Sequence, residues 1–326
     1  MKDWRFWLAE MRGTLLAAGI FVAMFILYSS NHPAGFSANV VQTASNKGVL
    51  LAFIAMAQAL VVITSGIDLS VGMIFILTNC LASWIAFGSP LETAFGVFAV
   101  LLTGLACGAL NGLVVIYGRL QPIVATIATG AIYFGIALAL RPFPGGSVNE
   151  DLADALTGRL FGFLPASLVV LAVTVLVIWV PFSRSVIGRA AYATGSSEPA
   201  AYMSGVPVRR AKFAAYTLGG FLAAIGGLFL TFFTYTGEAA YASGNAYTLF
   251  SIAAVVLGGV SLFGGKGSAI GAIFGAFAFR TIGDLLFVFD FDPLWQPLFQ
   301  GVVLLLAVSL TAFGLVRVRN RLDWFG

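Results

Sequence analysis

The sequence predicts an all-α, polytopic membrane protein with about ten transmembrane helices. Three observations predict it. Of the 326 residues, 60% are hydrophobic and 9% are charged, whereas a soluble domain carries about 25% charged residues. The apolar residues fall in repeated runs near the roughly 20 residues that a bilayer-spanning helix needs. The basic residues gather in connections that alternate spans place on one side, as membrane topology requires. A net charge of +4 so distributed points to topology and not to a nucleic-acid partner.

Residues 1–12 hold Lys2, Arg5 and Arg12, with Trp4, Trp7, Leu8 and Met11 on one helical face. They are expected to lie along the cytoplasmic membrane interface, in contact with lipid. The first span, 13–30, runs into SSNHPAGF, which lacks a small-x-small cleavage site. It reads as a retained helix. Further spans are expected at 48–64, 70–88, 93–116, 122–140, 166–181, 212–235, 248–264, 268–289 and 296–316. The span at 166–181 is short and is expected to extend into its flanks. Segments 64–72 and 258–272 are rich in Gly and Ser and read as helix breaks or tight turns. Spans 2–5 and 7–10 are candidate halves of an inverted repeat, since a shift of five spans reverses direction in the membrane. The whole chain, 1–326, is read as one transmembrane domain.

Ten spans put both termini on one side. With that side cytoplasmic, 13 of the 17 basic residues face inward: Lys2, Arg5, Arg12, Arg119, Arg184, Arg189, Arg209, Arg210, Lys212, Lys266, Arg317, Arg319 and Arg321. Lys47, Arg141 and Arg159 face outward, and Arg280 lies within a span. Two connections are long. Residues 141–165 face outward and carry Glu150, Asp151 and Asp154; residues 182–211 face inward and are basic.

Little catalytic chemistry is on offer. Cys80 and Cys107 both lie in apolar runs, and His32 is the single histidine, so neither a disulfide framework nor a multi-histidine metal site is indicated. VSLFGGKGS imitates a phosphate-binding loop but has Val260 and Gly267 where that motif needs Gly and Ser or Thr. The chain is expected to bind no ATP and no other cofactor. Asp68 has two compatible readings: a cap on a helix starting near Leu69, or a carboxylate at a helix break that meets substrate or a gate. Arg280 and Asp284, four apart, are expected to neutralise each other, with a polar patch on the path as the alternative. Thr126, Thr129 and Tyr133 recur at helical spacing, where packing bonds compete with a place on the path.

Four segments carry a resemblance. GRAAYATGSSEPAAYMSGV, Gly188–Val206, contains E-x-A-A-x-x-x-G, formed by Glu198, Ala200, Ala201 and Gly205. It resembles the cytoplasmic loop by which importer permeases dock onto an ATPase subunit. A short helix with small residues on one face suits a partner's cleft, and Gly205 suits the turn after it. SGIDLSVG (Ser65–Gly72), ALNGLVVIYGRLQPIVATIATGAIYFGIAL (Ala109–Leu138) and LGGVSLFGGKGSAIGAIFGA (Leu257–Ala276) are similar, in the same order, to the ribose-type permease family of ATP-binding-cassette importers. Ser196-Ser197 stands where that family has Gly-Asn, and Pro199 interrupts the Glu-Ala-Ala run.

The resemblance implies the permease subunit of a monosaccharide importer in the bacterial inner membrane, working by alternating access. ATP and Mg would belong to a separate ATPase. The other partners implied are a second permease copy or paralogue and a periplasmic sugar-binding protein. Docking would fall to Arg189, Tyr192, Gly195, Glu198, Ala200, Ala201 and Gly205 within 182–211. Candidates for the path or gate are Asp68, Ser70, Asn111, Thr126, Thr129 and Tyr133. An ion-coupled secondary transporter, or a permease of this class for a nucleoside or amino acid, is the alternative. The first of these would use Asp68 or Asp284, but it leaves the basic loop without a role.

Overall fold

The protein is described by a computed structural model covering residues 11–306 and residue 309. The interfacial segment expected over 1–12 therefore lies almost wholly outside the described residues, as does the end of the last span. The helices are α1 (Arg12–Asn31), α2 (Ala38–Ile63), α3 (Val71–Ile85), α4 (Pro90–Ile116) and α5 (Pro122–Leu140), then α6 (Glu150–Thr157), α7 (Ala166–Arg184), α8 (Val186–Ser196), α9 (Glu198–Met203), α10 (Val208–Thr234), α11 (Tyr241–Leu257), α12 (Ala269–Val288) and α13 (Pro293–Leu306). Two strands, β1 (Arg159–Leu160) and β2 (Leu164–Pro165), form a small hairpin.

Seven of these helices are long and apolar enough to cross a bilayer: α1, α2, α4, α5, α7, α10 and α12. The shorter α3, α11 and α13 occupy the other three expected spans. Several boundaries differ from the expectation. α2 begins ten residues before the expected 48, because Ser37 caps it through Val40 N at 3.4 Å; Lys47 is thus inside a helix rather than in a loop. α11 spans 241–257 in place of 248–264, and 258–268 is a turn that glycines at positive φ bend back on itself. α7 continues to Arg184 through a π-helical turn at Val175–Trp179. The two long connections are not open loops: 141–165 holds α6 and the hairpin, and 182–211 holds α8 and α9.

Helix α2 is the axis, buried from Val49 to Ile63 without interruption. Around it the packing follows the candidate repeat. α10 lies antiparallel on α4, and α2 lies on α12 in the corresponding relation. Small residues set the spacing, as is usual between membrane helices. A Cβ on Gly108 would stand 2.3 Å from the Tyr216 carbonyl, and one on Gly220 2.2 Å from that of Gly104.

The breaks after α2 and α10 also correspond. Each opens on a non-glycine residue in the left-handed region, Ser65 at φ 63 and Tyr235 at φ 57. Each returns the chain into the bundle before the next helix starts. The two late-starting helices meet near their first turns: a Cβ on Gly72 would lie 1.9 Å from the Gly244 carbonyl. The helical stretches Gly72–Ile85 and Gly244–Leu257 are equal, roughly 20 Å each at about 1.5 Å per residue.

Replacing Gly108 or Gly220 by Leu should force α4 and α10 apart. The expected loss is about 1–3 kcal/mol or more, read as a lower thermal aggregation midpoint in detergent. Gly19, which has no atom within 4 Å of a Cβ, should accept Leu with the midpoint unchanged.

Candidate functional site

The residues singled out around the first break come together in one buried network. Asp68 Oδ1 accepts from Ser70 N at 2.8 Å and from the Ser70 hydroxyl at 2.6 Å. Asn111, on α4, donates its amide to Ser70 Oγ at 2.7 Å and to Asp68 Oδ2 at 3.3 Å. Tyr133, on α5, donates to Asn111 Oδ1 and sits equally close, 2.9 Å, to the Cys107 carbonyl. Thr126 accepts from Leu69 N at 2.9 Å while bonding Pro122 O in its own helix, and Thr129 donates to Thr126 O at 3.3 Å. All six side chains are buried.

This corrects the capping expectation for Asp68. The helix starts at Val71 and its N-cap is Ser70, whose own side chain makes no capping hydrogen bond. Asp68 stands two residues earlier, where its carboxylate folds the approach to the helix. Among the described residues it has no ion-pair partner, so its stabilisation comes from three hydrogen bonds, as a buried polar group requires. The six residues form a bolt joining the break to α4 and α5. The hydroxyl of Tyr216 lies beside Gly66 without a hydrogen-bond partner among the described residues.

The docking candidates divide by direction. In α8, Tyr192 donates to Gly267 O at 2.7 Å and Gly195 lies against Ile63 O and Gly265 N. Both face the chain's own turns. Arg189 is exposed and bonds Arg184 O. In α9, Ser197 caps the helix and Pro199 is in its first turn, where proline costs no hydrogen bond. Ala201 is buried, whereas Glu198, Ala200, Tyr202 and Met203 are exposed, the last two at 71% and 81%. The outward face is thus a pair of large apolar side chains beside one small residue, not a stripe of small ones. Glu198 pairs with Lys212, and Gly205 takes φ +74 immediately after the helix.

Sequence reasoning passed over two residues. The Ser65 hydroxyl sits 2.9 Å from Gly195 O and 2.6 Å from Phe263 O, tying the first break to α8 and to the 258–268 turn. Its signal was a serine opening a glycine-containing break. Asn79, deep in α3, bonds the Thr231 hydroxyl, Thr236 O and Glu238 N, and so ties α3 to the second break. A lone amide in an apolar run was its only mark. The expected Arg280–Asp284 pair is also corrected. Asp284 pairs with Lys47 of α2 at 3.2 Å, which became available once α2 began at Ala38.

Comparison with known proteins places this geometry in context. Residues 40–308 match the model of the family described as branched-chain amino acid transport system / permease component. The chain is 33% identical over 297 residues to the ribose import permease protein of Haemophilus influenzae, covering 88% of this chain and 90% of that protein. It is 35% identical to the autoinducer 2 import system permease protein of Klebsiella pneumoniae, over 87% of this chain and 82% of the other. It is 30% identical to the fructose import permease protein of Rhizobium meliloti, over 84% and 78%. No solved structure matched the chain.

The network predicts an exchange experiment. Asp68→Asn sets an amide donor against the Asn111 amide and should cost about 1–3 kcal/mol in thermal stability. Adding Asn111→Asp restores donor–acceptor complementarity and should recover most of it. The double-mutant cycle in detergent reads the coupling; strictly additive losses would show that the two groups do not interact.

Proposed function

Since the chain belongs to the family of branched-chain amino acid transport system / permease components, we propose that it is the membrane-spanning subunit of an ATP-binding-cassette importer for a monosaccharide. As a permease component it is not itself an enzyme. The observation that carries the sugar reading is similarity over most of the chain to permeases named for ribose and fructose import, despite the amino-acid description of the family.

The mechanism follows from how the ends are joined. An ATPase subunit takes α9 and the exposed part of α8 into its cleft, with Tyr202 and Met203 as apolar anchors. α8 is bonded to Ser65 and Gly267, so movement of the docked helices is delivered to the first break. From there the Asp68–Asn111–Tyr133 network passes it to α4 and α5. Two permeases, identical or paralogous, enclose the path, and a periplasmic binding protein supplies sugar at the outer mouth. ATP and Mg act in the ATPase. The chain sits in the bacterial inner membrane, in lipid, with both termini cytoplasmic.

The ion-coupled reading asks for a carboxylate free to exchange ions. The two intramembrane candidates are committed elsewhere, Asp68 to Ser70 and Asn111 and Asp284 to Lys47.

Uptake by vesicles holding the full complex should stop when internal ATP is removed and persist under a protonophore while ATP is maintained. Loss under the protonophore alone would favour ion coupling. Gly205→Val forces a β-branched residue into the left-handed region with open space around it. It should lower recovery of the ATPase with the tagged permease severalfold while membrane insertion stays normal. Undiminished recovery and uptake would remove α9 from the coupling role.

A further inference from the structure

At the end of the bundle opposite α8 and α9 lies a cavity of about 450 Å³ between α1, α2, α12 and the start of α13. This is within the roughly 300–1,000 Å³ of small-ligand clefts. Asn39, Thr43 and Lys47 line it at four-residue intervals, hence from one face of α2. Arg280, Asp284 and Gln296 line the facing side. Apart from the Lys47 ammonium these are planar or branched hydrogen-bonding groups, with donors and acceptors both present. Tyr28, Phe287 and Phe291 add aromatic surface.

Arg280 is the informative residue. It stands within a membrane helix, where an unpaired guanidinium is expensive. Its expected partner Asp284 is taken by Lys47, and Arg280 has no hydrogen-bond or ion-pair partner among the described residues. It also lines a second cavity of about 160 Å³ with Ser243, Tyr247 and Gln300, beside the N-terminus of α11. Its fork of donors therefore stands between the outer cavity and the point where α3 and α11 meet.

We propose that the outer cavity is a binding subsite for an uncharged, polyhydroxylated monosaccharide, with Arg280 donating to its hydroxyls at the floor; this rests on the sugar-permease reading above. Hydroxyl groups satisfy both the unpaired guanidinium and the amides of Asn39 and Gln296, and the aromatic rings suit the apolar face of a sugar ring. An anion fits less well. Lys47 is neutralised by Asp284, which leaves Arg280 as the single uncompensated charge among the described lining residues, and Asp290 and Asp292 flank the lining residue Phe291 in the chain.

The test uses the full complex in nanodiscs without binding protein. Cys80 and Cys107 are buried, so Thr43→Cys introduces this chain's accessible thiol, and labelling is read on the permease band after denaturing gel separation from the other subunits. D-ribose or D-fructose at millimolar concentration should slow its reaction with a maleimide. Adding Arg280→Met, or separately Gln296→Ala, should raise the half-protecting concentration about tenfold or more, the loss expected for a hydrogen bond involving a charged or buried group. Phe98→Ala, on the exposed face of α4, should leave it unchanged, and gel filtration checks that each variant folds. If the complex imports these sugars but they give no protection, the subsite is wrong and the function stands. If protection comes from gluconate or phosphatidylglycerol instead, the occupant is an anion or a lipid and the proposal fails. If ATP-driven uptake is absent across a panel of labelled pentoses and hexoses, the function falls and the subsite with it.

Discussion

The close approach of two backbones at Gly72 and Gly244 organises the bundle. A helix that starts inside a bilayer has several N–H groups with no partner in its own turn, and lipid offers none. α3 and α11 both start this way. At α3 the cost is met by side chains placed for the purpose: Asp68 receives Ser70 N, Thr126 receives Leu69 N, and Thr248 receives Gly72 N at 3.0 Å. Polar residues that look out of place in an apolar sequence are thus the condition for having half-length helices at all. The long α2, α4, α10 and α12 then close around the pair, spaced by glycine and alanine.

This arrangement links the two ends of the molecule. The first break is bonded to α8 through Ser65 and to α4 and α5 through Asp68 and Asn111. The second break is held by Asn79 from α3, the helix that the first break launches. A displacement at the α8–α9 face therefore has a continuous hydrogen-bonded and packed route to the centre. In the proposed alternating-access mechanism the breaks are the parts assigned to move and the glycine-spaced helices the parts assigned to stay rigid.

Much of this was legible in the sequence, and the failures have physical causes. Long spans such as 122–140 were found because hydropathy alone determines them. Hydropathy places the start of α2 too late because Asn39, Gln42, Asn46 and Lys47 lower it locally, while the cap at Ser37 and the ion pair to α12 stabilise the helix from outside the window. Hydropathy alone shifts α11 toward the C-terminus because Gly258 and Gly259, which end the helix, sit in a run whose composition is still apolar. The polar network was legible as a set of residues but not as a network. Asn111 and Asp68 are 43 positions apart, and only the fold makes them neighbours. The pairing of Asp284 failed for the same reason: the four-residue rule sees its own helix and not Lys47 on another.

The unequal helix lengths carry a consequence of another kind. α2, α4 and α10 have 26, 27 and 27 residues, about 40 Å at 1.5 Å per residue, against a hydrocarbon core of roughly 30 Å. They must lean, or push their ends into the headgroups, whereas α3 and α11 are short enough to ignore the bilayer's thickness. A thinner or thicker membrane would therefore tilt the outer frame without directly moving the central pair. Acyl-chain length becomes a mechanical input, acting on the frame that clamps the breaks. Turnover measured across bilayers of graded thickness would pass through an optimum, whereas a flat response would mean the frame is too stiff to transmit that tilt.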